Sequence, residues 1–371
     1  MVQQRLDSIN EQLKLMIIPR TIDDIKTLER KLKSDPEMDK VWGAADEQEL
    51  LANDDLVACL QSANEWIFDS FRLDDLTGGF PLLKFAFWMF REHNLIDEFD
   101  IPCHKLFNFF HRIQAKYEPT LYHNAIHAVD VAQAMHFWMR RGLLSENATS
   151  LQVMAAMVAA ICHDTGHPAK NNAFMVNSKN KFATLYNDIS VLENMHLSLC
   201  YETYNEPECD FLCNIKRDEW QAYRKLMVSM ILATDFGRHN EILSIAQERL
   251  KQGRMDLQKD SDFDLCMKVG IKCADLRHCM MPHEMTQRTT ALLMEEFWGQ
   301  GDEEAALGLP ISPFMNREKA NLNKEQAGFY QFMIMPLISV WAEILPSEAS
   351  VALDYSKRNW EAWQKKGAKK K

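Results

Sequence analysis

Cys162-His163-Asp164-Thr165-Gly166-His167-Pro168 is the stretch on which the reading of this chain turns. It follows a segment, Ala155 through Cys162, that contains no polar side chain. The pattern predicts a buried helix that delivers His and Asp side by side at its end, where Gly166 and Pro168 break the periodicity. Burying such groups without partners costs roughly 2 to 7 kcal/mol per neutral polar group and more for a charge. A metal ion offsets that cost, and a capping or ion-paired role at a helix-to-loop corner is the alternative.

Outward from this point the same periodicity continues. From Asn64 to about Gln364 apolar residues recur at helical spacing, with polar punctuation such as Thr77-Gly78-Gly79 and Asn205-Glu206-Pro207. Helices are expected at about 84–93, 103–116, 124–141, 151–163, 190–204, 218–236, 239–252, 263–276, 284–299 and 324–345. Pro336 should bend or split the last of these, because proline removes a donor and crowds the preceding turn. No series of alternating strands is found, and only 13 Gly and 12 Pro interrupt 371 residues, so the fold class is all-α. Residues 1–50 form a charged leader in which Leu6, Ile9, Leu13 and Met16 suggest a short amphipathic helix; a linker remnant or a homodimer contact are its other readings. Residues 51–362 are the main domain, and 363–371, with five lysines, a basic tail expected to be disordered.

The formal charge of -11 argues against a nucleic-acid partner, because phosphate backbones need clustered Lys and Arg. An anionic small substrate then needs a metal or local positive charge. Nine cysteines, an odd number with no C-x-x-C pair, and an N-terminus without a secretory pattern point to a reduced, cytoplasmic setting. The longest near-uninterrupted apolar run, Val153 to Cys162, is about half of a membrane span, so integral membrane association is not expected.

A second histidine pair, His123 and His127, lies in Tyr122-His123-Asn124-Ala125-Ile126-His127-Ala128-Val129-Asp130-Val131. The i, i+4 spacing can place both imidazoles on one helix face, and imidazole serves either as a metal ligand or in proton transfer. Three carboxylates stand in apolar settings: Glu193, Asp235 and Asp275. Glu193 follows Ser190 by three residues and can equally belong to a capping box, and Asp275 can be a buried partner of Arg277. Taken together, His127, His163, Asp164 and Asp275 make a mixed nitrogen and oxygen ligand set that suits zinc or a comparable ion. A neighbouring site with few protein ligands suits magnesium or manganese. Two divalent metals follow, and such pairs activate a water and neutralise charge at phosphorus.

The order and spacing of these pieces closely resemble the catalytic domain of class I 3′,5′-cyclic nucleotide phosphodiesterases over roughly residues 50 to 362. Beyond the histidine segments, the resemblance is carried by Asn172, Tyr186-Asn187-Asp188, Leu192-Glu193-Asn194, Leu232-Ala233-Thr234-Asp235, Ala274-Asp275-Leu276, Met294-Glu295-Glu296-Phe297, Ile311-Ser312-Pro313 and Gln326-x-Gly328-Phe329. It implies an all-α His-Asp metal phosphohydrolase domain of about sixteen helices in three closely packed subdomains. One metal is then held by His127, His163, Asp164 and Asp275. The other is held by Asp164 and by waters that His167, Glu193 and Thr234 orient, with Asn172 nearby. His123 is implied as the acid that protonates the departing 3′ oxygen, with Glu193 helping to orient it. The product is a 5′-nucleoside monophosphate and the role is to end a second-messenger signal.

For the base, the resemblance implies a clamp between Phe329 and Leu293, reading by Gln326, and a pocket lined by Phe297, Tyr122 and His278. Two positions depart from the family pattern. Thr165 stands where an apolar residue is usual, and His278 stands where cAMP-selective relatives often carry an asparagine. Dual cAMP and cGMP specificity and cAMP preference both stay open.

Overall fold

The computed structural model describes residues 53–368, and their regular elements are all helical. In chain order they are α1 Asp54–Ser62, α2 Ser70–Leu76, α3 Pro81–Glu92, α4 Leu95–Glu98, α5 Cys103–Lys116, α6 Ala125–Met139, α7 Gly142–Asn147, α8 Ser150–Cys162 and α9 Asn172–Asn177. They continue with α10 Lys181–Leu185, α11 Val191–Tyr204, α12 Arg217–Thr234, α13 His239–Lys251, α14 Asp260–Asp275, α15 His283–Ala306, α16 Leu322–Ile344 and α17 Ser350–Ala368. Single turns at Phe236–Arg238 and Arg277–Met280 follow α12 and α14. The all-α expectation holds, and each expected helix is present within a few residues of its expected ends except that of 284–299, which continues to Ala306. The leader reading at Leu6 to Met16 and the boundary at residue 50 lie outside the described residues.

Two helices that are apolar nearly all round organise the rest. α8 starts in a capping box of Thr149 and Gln152, and every residue from Val153 to Cys162 is buried. α6 buries Ala128, Val129, Val131, Ala132, Ala134, Met135 and Trp138 among others. A helix without a polar face has to sit inside a core, and α8 is surrounded by α6, α12, α14, α11 and α3. Trp138 and Trp341, both fully buried, meet edge to face at 5.1 Å. Burial of side chains of this size contributes about 1.5 to 3 kcal/mol each.

This packing sets helix ends against one another. His127, in the first turn of α6, lies 3.2 Å from His163 at the end of α8, so the two helices run antiparallel. α14 ends at Asp275 and α12 at Thr234.

α16 is one helix of 23 residues that widens into a π turn at Tyr330–Ile334, just ahead of Pro336. Pro336, expected to bend or split this helix, stands in the first turn after the π segment, which accommodates the missing donor. By length and composition α16 passes the test for a membrane span, but Tyr330, Ile334, Leu337, Ile338, Val340, Trp341 and Ile344 are buried in the core.

The C-terminal expectation is corrected. α17 continues to Ala368, so the start of the basic tail is helical. Asn359 donates to the carbonyls of Cys279 (3.1 Å) and Met281 (2.8 Å), and Trp363 is buried. The helix was hard to read because polar Ser356 and Asn359 occupy fully buried positions on its inner face.

Candidate metal and catalytic site

The ligand set expected from sequence comes together. His127 is placed by Asn124, whose side chain caps α6 by accepting from the backbone N–H of Ile126 (2.9 Å) and His127 (3.4 Å). Its Nε2 lies 3.2 Å from Asp275 Oδ1 and 3.6 Å from Asp164 Oδ2. His163 Nε2 lies 3.4 Å from Asp164 Oδ2 and 3.5 Å from Asp275 Oδ1. Gly166, at φ +76°, turns the chain after Asp164; a side chain there would strike Leu199.

These donors fit a cation. His163 Nδ1 donates to the Ala160 carbonyl at 2.9 Å, so in the neutral ring Nε2 is a lone pair aimed at two carboxylates and at His127 Nε2. His127, His163 and Asp275 can share one ion, and all three lie at the ends of helices. α8 and α14 direct their negative C-terminal ends to this place, which favours positive charge there. Burial pushes the His163 imidazolium down, yet Asp164 and Asp275 outweigh it and hold the ring well above the usual histidine range. Asp164 and Asp275 are in turn held well below the carboxylate range by the histidines, against the pull of burial. A cluster that favours positive charge in this way can hold a metal ion. Arg277 is not the partner of Asp275: it pairs with Asp130 at 2.6 Å.

His123 faces this cluster with a partner that sequence reasoning did not assign. Glu296, on α15, bonds to His123 Nδ1 and accepts from the backbone N–H of Tyr122 (2.9 Å) and His123 (3.2 Å). Burial pushes the His123 imidazolium down, but Glu296 raises it above the ordinary value. Burial pushes Glu296 up, and His123 brings it down to about 2. Glu193, which was expected to help orient His123, is engaged elsewhere.

The His167 ring stacks on His123 with centroids 4.1 Å apart. Its Nδ1 accepts from the Ala169 N–H at 3.1 Å, and burial lowers it to about 3, so the neutral ring carries its proton on Nε2. That makes His167 a donor toward a water or a phosphate oxygen.

Glu193 forms the opposite wall. No capping box forms: Ser190 sits in the left-handed region at φ +42° with no side-chain cap. Its hydroxyl donates to Asp235 Oδ2 at 2.7 Å instead. Glu193 accepts from Asn172 Nδ2 at 3.0 and 3.3 Å, and Asn172 Oδ1 accepts from the Leu192 N–H at 2.8 Å. Burial, reinforced by Asp235, raises the Glu193 carboxyl to about 7.

His196, three residues further along α11, was missed by sequence reasoning. Its Nδ1 donates to the Thr165 carbonyl at 2.7 Å, and burial lowers the ring to about 4. The Nε2 lone pair therefore stands 3.5 Å from Asp164 Oδ1. Two acceptors in that position call for a cation or a bound water between them. The i, i+3 spacing from Glu193 was the available signal for His196; for Glu296 it was a carboxylate between Met294 and Phe297 on a helix with an apolar face.

On the base side, the Tyr122 ring lies 4.7 Å from that of His127, and its hydroxyl bonds to His278 Nδ1 at 2.8 Å. His278 Nε2 lies 3.2 Å from Cys279 Sγ, so both ring nitrogens are occupied within the protein. Gln326 is buried, and its amide nitrogen lies 4.0 Å from the sulfur of Met294. Phe329 lies 6.4 Å from Phe236, which follows Asp235 directly. Leu293 and Phe297 are half-buried and belong to neither apolar cluster, which leaves their side chains available to a ligand.

Comparison with known proteins agrees with this arrangement. Residues 122–355 match the family described as 3'5'-cyclic nucleotide phosphodiesterase. The chain is 34% identical over 311 residues to the probable 3',5'-cyclic-AMP phosphodiesterase pde-4 of Caenorhabditis elegans, covering 82% of this chain and 46% of that protein. It is 32% identical over 326 residues to mouse 3',5'-cyclic-AMP phosphodiesterase 4C, covering 86% and 47%. The chain thus spans about half the length of these curated relatives. The crystal structure of the phosphodiesterase domain of the RhoPDE fusion protein from the choanoflagellate Salpingoeca rosetta superposes with a TM-score of 0.78 at 28% identity, covering 87% of this chain and 98% of that one. By its sequence, its fold and its relatives, this chain belongs to the 3′,5′-cyclic nucleotide phosphodiesterase family.

Proposed function

We propose that this chain hydrolyses the 3′ phosphoester bond of 3′,5′-cyclic nucleotides to 5′-nucleoside monophosphates in a cytoplasmic setting, and so ends second-messenger signals. The observation that carries this reading is the convergence of His127, His163, Asp164 and Asp275 donor atoms beside His123, whose imidazolium is favoured by Glu296. His127, His163, Asp164 and Asp275 hold the first divalent metal, with zinc the ion that this donor set suits. Asp164, with His167, Glu193, His196 and Thr234 around it, serves the second, magnesium or manganese. Bound metals supply Lewis acidity and an activated water. His123 donates its proton to the departing 3′ oxygen, and Glu296 keeps that proton in place until the bond breaks. His167 Nε2–H orients a water or a phosphate oxygen.

Tyr122, Phe329, Leu293 and Phe297 take the base, and Gln326 reads it. The hydrogen bond from the Gln326 amide to the Met294 sulfur is long and weak, so the amide can turn either its oxygen or its nitrogen to a base, which supports use of both cAMP and cGMP. His278 acts in this scheme through the Tyr122 hydroxyl. The nine unpaired cysteines are compatible with a reduced setting.

The test is hydrolysis of cAMP and cGMP side by side with added Mg²⁺ or Mn²⁺. Formation of 5′-monophosphates that is lost in His123→Ala and Asp275→Ala is the expected result. Cleavage of a generic phosphoester with both cyclic nucleotides left intact overturns it.

A further inference from the structure

The last carbonyls of α12 are capped by side chains. Thr234 Oγ1 donates to the Ile231 carbonyl at 2.8 Å. Lys272, one turn before Asp275 on α14, aims its ammonium at the same helix end. Its Nζ donates to the carbonyls of Ala233 (2.9 Å), Asp235 (3.3 Å) and Thr234 (3.5 Å) and lies 5.6 Å from the Phe236 ring centroid. Lys272 is 2% exposed, and the carboxylates whose charges act on it are those of Asp275, Asp235 and Glu193. Burying an ammonium is costly even when carbonyls receive it, and a methionine fills much the same space. A charge kept at this position under that cost calls for a role.

The geometry supplies one. The clamped segment bears Thr234 and Asp235. Asp235 Oδ1 accepts from the Gly237 N–H (2.7 Å), and Oδ2 accepts from the Ser190 hydroxyl (2.7 Å) at the mouth of α11. The first turns of α11 carry Glu193 and His196, which face Asp164. Lys272 therefore joins α14, the helix of the metal ligand Asp275, to both elements that wall the other side of Asp164. We propose that Lys272 is a positioning residue for the second cation site, clamping the end of α12 so that Thr234, Asp235, Ser190 and the first turns of α11 stay in register with Asp164.

This inference rests on the metal-dependent reading above, and the experiment separates the two. Mn²⁺ binding to the full chain is followed by the electron paramagnetic resonance of free Mn²⁺, with tightly held metal counted by elemental analysis and kcat and KM measured over a Mn²⁺ titration. Lys272→Met is expected to weaken Mn²⁺ binding about ten-fold or more, as loss of groups that orient a metal site does. The tightly held metal and the KM for cAMP stay near the wild-type values, kcat at limiting Mn²⁺ falls, and Lys272→Arg restores most of the binding. Wild-type Mn²⁺ affinity in the folded fraction of Lys272→Met, with loss of activity only in proportion to loss of fold, overturns the inference. If Lys272→Met does not fold, Lys272→Gln, which can still donate but carries no charge, takes its place, and wild-type Mn²⁺ binding in it is equally decisive. A wild type that binds no Mn²⁺ and cuts no cyclic nucleotide removes the functional reading and this inference together.

Discussion

Glu296 grips His123 twice, through the imidazole Nδ1 and through the backbone N–H at 3.2 Å, although the two residues are 173 positions apart in the chain. The double grip fixes the ring and its charge together. A carboxylate that touched only the ring would leave the loop before α6 free to carry it away from Asp164.

Glu296→Gln should therefore lower the pH at which His123 gives up its proton. Glu296 raises the folded-state value of His123, so the stability from this pair is lost as pH rises through that value, and it is lost at the acid end as pH falls toward the Glu296 value of about 2. The alkaline limb of the kcat profile should move to lower pH, with kcat at pH 8 reduced about ten-fold or more. An unmoved alkaline limb shows that another group sets it.

His123→Ala should lower kcat by about 10² to 10⁴ while the content of tightly held metal stays at the wild-type level. Asp275→Ala should lose both, because it removes a carboxylate oxygen that faces both His127 and His163. Elemental analysis beside steady-state kinetics checks this, and equal metal contents in the two variants would speak against Asp275 as a ligand.

The Glu193 carboxyl, raised from 4.5 to about 7 by burial and by Asp235, gives a stability dependence of the same sign. Between these values the unfolded chain has ionised while the folded one still holds its proton, so folding stability falls as pH rises. In metal-free protein the ionised group costs about 3 kcal/mol above pH 7. Glu193→Gln should raise the Tm at pH 8 and leave it little changed at pH 4.5. Thermal melts in EDTA at both values decide it.

If His278 acts through Tyr122, then His278→Asn and Tyr122→Phe should shift the ratio of cAMP to cGMP turnover in the same direction, and the double variant should resemble either single one. A double-mutant cycle on kcat/KM measures the coupling. Additive effects would place His278 against the base itself.

Two glycines on α15 test the packing beneath the site. A side chain at Gly301 meets the Met315 carbonyl oxygen at 1.8 Å, whereas one at Gly299 meets nothing within 4 Å. Gly301→Ala should cost about 2 kcal/mol or more, and Gly299→Ala should gain up to about 1 kcal/mol. Denaturant unfolding of both variants checks the opposite signs.

The sequence by itself determined the helical class and the ends of most long helices, and it singled out His127, His163, Asp164 and Asp275 as residues that come together. An uninterrupted apolar helix such as α8 has to be buried, and a His-Asp pair at its end has to find compensation, whatever the rest of the chain does. The short helices and α17 were hidden because their burial depends on neighbours: Ser356 and Asn359 read as solvent-facing until the Cys279 and Met281 carbonyls are placed beside them. Which carboxylate serves which histidine was likewise a tertiary matter. Ser190 and Glu193 have the spacing of a capping box, yet the left-handed turn at Ser190 sends its hydroxyl to Asp235 and leaves Glu193 to Asn172. Local spacing specifies which residues share a helix face; the partner across the cleft is set by how α11, α12, α14 and α15 pack around α6 and α8, and no periodicity within one helix encodes that.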